Sequence, residues 1–141
     1  LTVLPSPNLA QVLYARSVEN GVETFVKDLK TSVAERFSVV TLPEKCAWGK
    51  EPSQMLYCGV PRDFPQGEYP DDWYQGKITF SDALWRIDTG NNAPEQLSEP
   101  EIDAGEALDM THPFLSKNGD FLFFINKKDS SLWSLRLGSG V

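Results

Sequence analysis

Pro113-Phe114-Leu115-Ser116-Lys117-Asn118-Gly119-Asp120-Phe121-Leu122-Phe123-Phe124-Ile125-Asn126, followed after a polar break by Ser131-Leu132-Trp133-Ser134-Leu135-Arg136-Leu137, decides the fold of this chain. It reads as a three-strand meander: a short strand, a Lys-Asn-Gly-Asp turn, a buried strand, a Lys-Lys-Asp-Ser-Ser turn and a third strand. Asn-Gly between apolar runs is a strong hairpin signal, because both residues tolerate the positive φ that tight turns demand.

Two earlier stretches echo this unit. In the first, Ser6-Pro7-Asn8-Leu9-Ala10 forms a turn before Gln11-Val12-Leu13-Tyr14-Ala15. Glu19-Asn20-Gly21 forms a second turn before Thr24-Phe25-Val26-Lys27-Asp28-Leu29. The β-branched run Ser38-Val39-Val40-Thr41-Leu42 is expected as the outer strand of that unit, with Thr31 to Phe37 as loop. In the second, Cys46-Ala47-Trp48 precedes the turn Gly49-Lys50-Glu51-Pro52-Ser53 and the strand Gln54-Met55-Leu56-Tyr57-Cys58-Gly59-Val60. Asp82-Ala83-Leu84-Trp85-Arg86-Ile87-Asp88 follows, its Trp85 matching Phe25 and Trp133. From turn to aromatic the spacing is 19 residues for Ser6 to Phe25 and 17 for Ser116 to Trp133, against 36 for Gly49 to Trp85. The second unit therefore carries an insertion at about 61–80. Residues 89–111 read as a connection with a short strand near Gln96-Leu97, and 138–141 as a frayed tail.

Three meanders of short strands (about 1–43, 44–93 and 94–137) predict an all-β chain of consecutive β-propeller blades. No 3.6-residue periodicity supports a helical solenoid. The Ser-Pro-Asn turn and Leu115-Ser116-Lys117-Asn118-Gly119-Asp120-Phe121-Leu122-Phe123-Phe124 resemble the turn and following strand of TolB-like and WD40-like propeller repeats. Lys45-Cys46-Ala47-Trp48, Leu56-Tyr57-Cys58-Gly59-Val60-Pro61, Pro70-Asp71-Asp72-Trp73-Tyr74-Gln75-Gly76 and Phe124-Ile125-Asn126-Lys127-Lys128-Asp129 resemble uncharacterised propeller-like proteins of candidate-phylum bacteria. The resemblance spans about residues 5–137 and departs at Asn8-Leu9, where Asp-Gly is the pattern. It speaks to architecture and leaves activity open, since propellers host many functions. Blades of ~40–50 residues close in rings of ~4–8. About three are therefore incomplete alone, to be completed by a protein partner or by other copies.

Hydrophobic content of 40% fits one globular domain. No apolar run approaches a membrane span. The chain begins at Leu1 rather than Met, as expected of a processed product or a fragment, leaving room for an export signal or anchor upstream. The net charge of −7 is uneven: Asp63 to Asp109 hold 12 acids against 2 bases. Such a middle repels phosphate backbones, so no nucleic-acid partner is expected.

If the 49–53 turn centres near Pro52, Trp48 faces Leu56 and Cys46 faces Cys58. An opposed pair of cysteines is close enough for a cross-strand disulfide, worth ~3 kcal/mol in the chain-entropy model and at home in an oxidising compartment. The alternative is two reduced, buried cysteines. Within the insertion, Tyr69, Asp71, Asp72, Trp73 and Tyr74 are the candidate binding residues. Tyr and Trp give large contact area at little entropic cost, though the same rings can instead staple the insertion to its own blade. Asp71, Asp72 and Asp82 lack the spacing of a calcium loop, and Asp82 and Asp129 read as turn openers before Leu84-Trp85 and Leu132-Trp133. Two cysteines and one histidine do not make a zinc site. His112, beside Pro113, reads as structural, and no nucleophile elbow, His-Glu-x-x-His or phosphate loop occurs. No metal or cofactor is expected.

The reading is a non-catalytic, extracytoplasmic interaction or scaffold module, with Trp48, Trp85, Trp133, Leu56, Leu122 and Phe124 in its core. The alternative is the propeller portion of a larger hydrolase, a peptidase or glycosidase whose catalytic residues lie outside this chain.

Overall fold

The computed structural model describes residues 2–50 and 54–137. Among these the chain forms three antiparallel sheets of four, four and three strands, in sequence order. The first holds β1 (Thr2–Pro5), β2 (Gln11–Val18), β3 (Gly21–Asp28) and β4 (Ala34–Arg36). The second holds β5 (Cys46–Trp48), β6 (Met55–Pro61), β7 (Asp82–Asp88) and β8 (Ala93–Ser98). The third holds β9 (Met110–Leu115), β10 (Phe121–Asn126) and β11 (Ser131–Arg136). Two single-turn helices, α1 (Asp71–Tyr74) and α2 (Pro100–Asp103), lie between strands. The tail at 138–141 and the turn centre at Pro52 lie outside the described residues.

The turns repeat down to their side chains. Ser6 Oγ donates to Asn8 Oδ1 at 2.8 Å and accepts from Gln11 N at 3.1 Å, while Asn8 Oδ1 also accepts from Ala10 N. Ser116 and Asn118 make the same three bonds, with Phe121 N and Asp120 N as donors. A Ser-x-Asn turn therefore fixes the entry to β2 and to β10 by the same local chemistry.

Outer strands differ from expectation: Ala93–Ser98, read within the connection 89–111, pairs with β7 as the fourth strand of the second sheet, and Thr2–Pro5 adds a strand to the first. The outer strand of the first sheet is Ala34–Arg36, paired with β3 through Phe25–Arg36 and Lys27–Ala34, and not Ser38 to Leu42. That β-branched run instead crosses to the second sheet. Thr24 Oγ1 donates to Thr41 O at 2.7 Å, and Thr41 Oγ1 donates to Gly59 O at 2.6 Å. A hydroxyl bonded to backbone satisfies the groups a ladder would otherwise take.

Side chains alternate across each sheet, so every strand has one face toward each neighbouring layer. Leu13, Phe37, Cys46, Leu56, Cys58 and Ile87 form the core between the first and second sheets. Tyr57, Leu84, Leu108, Met110, Leu122 and Phe124 form the core between the second and third. Leu56, Leu122 and Phe124 are fully buried. Trp48, Trp85 and Trp133, expected in the core, are half-buried and flank these clusters. The register pairs Cys46 with Cys58 and Trp48 with Leu56, and the two cysteines form a disulfide within the second sheet.

Candidate functional site

Between β6 and β7 the chain runs from Arg62 to Ser81 without a strand, and all its rings but Tyr74 turn inward. Tyr69, Trp73 and Phe80 pack with Ala15, Val22 and Leu42, flanked by Phe64 and Ile78. The Tyr69 and Phe80 rings stack at 5.9 Å, and Phe64 meets both edge-on at 5.2 and 5.1 Å. The Tyr69–Pro70 peptide is cis. Tyr69 OH donates to Pro65 O, and Ser17 Oγ donates to Tyr69 O, tying the insertion to β2. Burial, then the nearby Asp72 and Asp63 carboxylates, pushes the Tyr69 phenol up. Gly67 is closely approached: a Cβ there would lie 2.5 Å from Ile78 Cδ1 and 2.9 Å from Asp72 Oδ2, so both side-chain ends would have to move aside.

Beneath this cluster lies a buried ionic network. Lys45 closes a 310 turn (Pro43–Lys45) that Pro43 starts, and its side chain is fully buried. Its Nζ donates to Asp82 Oδ2 at 2.6 Å, Asp109 Oδ1 at 2.7 Å and the Met110 carbonyl at 2.8 Å, which uses all three ammonium protons. Asp109 also accepts from Trp73 Nε1 and from Phe80 N, while its own amide donates to Asn126 Oδ1. Asp82 Oδ2 accepts from Met110 N, leaving Oδ1 buried without a partner. Burial pushes the Asp82 carboxyl above its usual range, against the opposing pull of Lys45. The ammonium lies 5.0 Å from the Trp73 ring centre and 5.1 Å from that of Phe80. One lysine thus joins the second sheet, the third sheet and the insertion.

The five candidate binding residues divide. Trp73 is 1% exposed and Tyr69 4%, so both rings are core and not contact surface as expected. Trp73 O accepts from Lys127 Nζ of the third sheet's turn at 2.6 Å. Asp71 is exposed, Asp72 is half-buried and accepts from Glu68 N at 3.0 Å, and Tyr74 is 48% exposed with its hydroxyl donating to Glu44. Asp82 is separated from Asp71 and Asp72: it begins β7 inside the core and opens no turn. Asp129 does cap its turn, accepting from Ser131 N and Ser131 Oγ. Lys45 and Asn126 had no signal in the sequence pattern. A hint lay in the aspartates at the starts of apolar strands (Asp82 before Ala83-Leu84, Asp109 before Met110), which left two acids to be neutralised.

The exposed side of the insertion opposes the β2–β3 turn across a groove of about 640 Å³. Ser17 to Asn20 line one wall and Gln66 to Tyr69 with Asp71 and Asp72 the other. Four of these residues, Glu19, Glu68, Asp71 and Asp72, are acids and none is basic. A second hollow of about 510 Å³, between the first and second sheets, is lined by polar residues such as Gln11, Gln54 and Thr89 around Trp48.

No protein-family model and no curated protein matches this chain. Among solved structures it resembles TolB from Acinetobacter baumannii, with a TM-score of 0.63 and 11% sequence identity, over 100% of this chain and 30% of that one. At that identity the likeness is one of fold. The chain is an all-β array of TolB-like propeller blades and spans under a third of the length of the structure it matches.

Proposed function

We propose that the chain is a non-catalytic protein-interaction module of β-propeller type, working outside the cytoplasm, that grips a basic segment of a protein partner. The observation that carries this reading is the groove with four carboxylates and no base on its walls. A groove lined by one sign of charge attracts ligands of the other sign and speeds their docking. Tyr74 follows Asp71 by one helical turn and offers a ring of the kind that anchors interfaces. The Cys46–Cys58 disulfide supports an oxidising compartment, where such bonds persist.

A fluorescent Lys/Arg-rich nonapeptide, titrated against the folded chain at low and at physiological salt, tests the reading. Binding that weakens with salt, and falls with Asp71→Asn and Glu19→Gln together, is the expected result. Equal binding of a basic and an acidic peptide, or binding untouched by the two substitutions, would sink it.

A further inference from the structure

The contact of the first sheet with the second and that of the second with the third match position for position, and they differ at one end. Thr89 N donates to Gln54 O at 2.9 Å, as Leu137 N does to Asp120 O at 2.8 Å, which makes Thr89 the counterpart of Leu137. Trp48 pairs with Leu56 as Leu115 pairs with Leu122, and Gln11 pairs with Asp28 as Met55 pairs with Asp88. At this level Met55, Leu115 and Leu137 close the second contact by packing against its core. In the first contact the same places hold Gln11, Trp48 and Thr89, and there the hollow of about 510 Å³ opens. The fold does not demand a hollow here, because one contact further on the chain fills the same level with apolar side chains. Both walls belong to neighbouring sheets inside the chain, the ends of β2 and β3 on one side and those of β5, β6 and β7 on the other.

The groups around the hollow are fixed and mixed in character. Trp48 is the one aromatic side chain in its lining among the described residues. Its Nε1 donates to Leu4 O at 3.0 Å, so the indole is held in place and offers its ring, not its N–H. Thr89 Oγ1 donates to Gln11 Oε1 at 2.9 Å, a bond between the two sheets that leaves the Gln11 amide nitrogen free to donate. The Gln54 side chain is exposed and has no partner among the described residues, so it offers both a donor and an acceptor. The Thr31 and Lys30 amides donate to Asp28 Oδ1 and hold that carboxyl below the usual range, which keeps it an ionised acceptor. No lysine or arginine lines the hollow among the described residues.

We propose that this hollow binds a neutral oligosaccharide, with the Trp48 indole against the C–H face of one sugar ring and the Gln11 and Gln54 amides and Asp28 on its hydroxyls. A pyranose carries apolar C–H groups on its faces and hydroxyls at its edge that each donate and accept. It therefore calls for an aromatic plane with both kinds of polar group at the rim, which is what these side chains supply. A phosphate or other anion finds no base here. A basic segment finds more carboxylates in the groove at the other end of β2, on which this site does not depend. The volume lies within the range of small-ligand sites.

Isothermal titration calorimetry of the disulfide-intact chain with cellotriose, maltotriose and triacetylchitotriose tests this, together with the indole N–H signals in a nitrogen–proton correlation spectrum. At least one of these sugars is expected to bind with a Kd of about 1 mM or tighter, unchanged by salt. It should move the Trp48 indole signal and leave that of the buried Trp73 in place. Gln54→Ala removes a side chain that holds nothing among the described residues and should weaken binding by about 5-fold. Gln11→Met with Thr89→Leu installs the side chains of the second contact, and should abolish binding while the melting temperature holds or rises. Failure of all these sugars to bind, shifts confined to other indoles, displacement of the sugar by the basic nonapeptide, or an affinity untouched by Gln54→Ala would each overturn the proposal.

Discussion

Leu9 and Gly119 stand at the same place in the turns that open β2 and β10, and both have left-handed backbone, with φ of 58° and 79°. An L-residue with a Cβ pays ~1–2 kcal/mol for that conformation, and glycine does not. Leu9 is 67% exposed, so its side chain returns little in burial. Leu9→Gly should therefore stabilise by about 1 kcal/mol after the greater freedom of glycine in the unfolded chain is set against the relief. Thermal unfolding should shift up by about 2–4 °C, and Gly119→Leu should shift it down similarly. A Leu9→Gly variant that melts lower would break the equivalence of the two turns.

Lys45→Met should be among the costliest single changes in the chain. It removes the only cation paired with the fully buried Asp82 and Asp109 among the described residues, and an uncompensated buried charge costs ~3–5 kcal/mol. Adding Asp82→Asn removes one of the two stranded carboxylates and should recover part of the loss. Urea unfolding of both singles and the double measures the coupling; strict additivity would mean that the pair does not interact.

Acid and base should act in opposite directions at two aspartates. The Asp82 carboxyl is held above its unfolded value by burial, so the folded state keeps that proton longer. Its contribution is present below about pH 3.8 and is lost as pH rises through the folded value. Asp129 is held low by the Ser131 hydroxyl and amide, so its contribution is present above that range and is lost as pH falls through the folded value. Urea midpoints should move in favour of Asp82→Asn over wild type as pH rises from about 3.5 to 7, and in favour of Asp129→Asn as pH falls below about 4. Parallel curves for all three proteins would contradict both shifts.

The last meander was legible because its signals agree: Gly119 takes the positive φ of the turn, and Phe121 to Asn126 alternates between buried and half-buried along β10. The strand Ala34–Arg36 was hidden because all three residues are exposed, so no period-2 apolar pattern marks it. Ser38 to Leu42 misled for the converse reason: β-branched residues favour strands, but Thr41 spends its hydrogen bonds between two sheets. The ionic network was illegible, since a lysine reads as surface unless its partners are known, and Asp109 lies 64 positions from Lys45. Tyr69 and Trp73 were visible as unusual, but neither composition nor spacing tells an outward ring from an inward one.

The disulfide should act through the unfolded chain. Cys46 and Cys58 are 12 residues apart, and closing a loop of that size is worth ~3 kcal/mol. Cys46→Ala with Cys58→Ala should lower the urea midpoint correspondingly while the sheet register holds, because Trp48 Nε1 still donates to Leu4 O at 3.0 Å. Amide exchange in β5 and β6 measures the register. Loss of protection throughout the second sheet below the unfolding transition would show that the bond, and not the packing, sets the strand pairing.

Trp73 and Tyr74 are neighbours in sequence and opposite in role, and alanine at each should separate anchoring from recognition. Trp73→Ala empties a core site and strips Asp109 of an indole donor, so a loss of ~3–5 kcal/mol is expected. Trp73→Phe keeps most of the volume but leaves Asp109 short of that donor, for ~1–3 kcal/mol. Tyr74→Ala removes a half-exposed ring, its contact with Trp73 and its hydroxyl bond to Glu44, and should cost about 1 kcal/mol while weakening capture of the basic nonapeptide. Thermal unfolding and peptide titration on the same three variants read both quantities. If Trp73→Ala melts like wild type yet loses the peptide, the indole is contact surface after all, and the insertion is not held by Asp109.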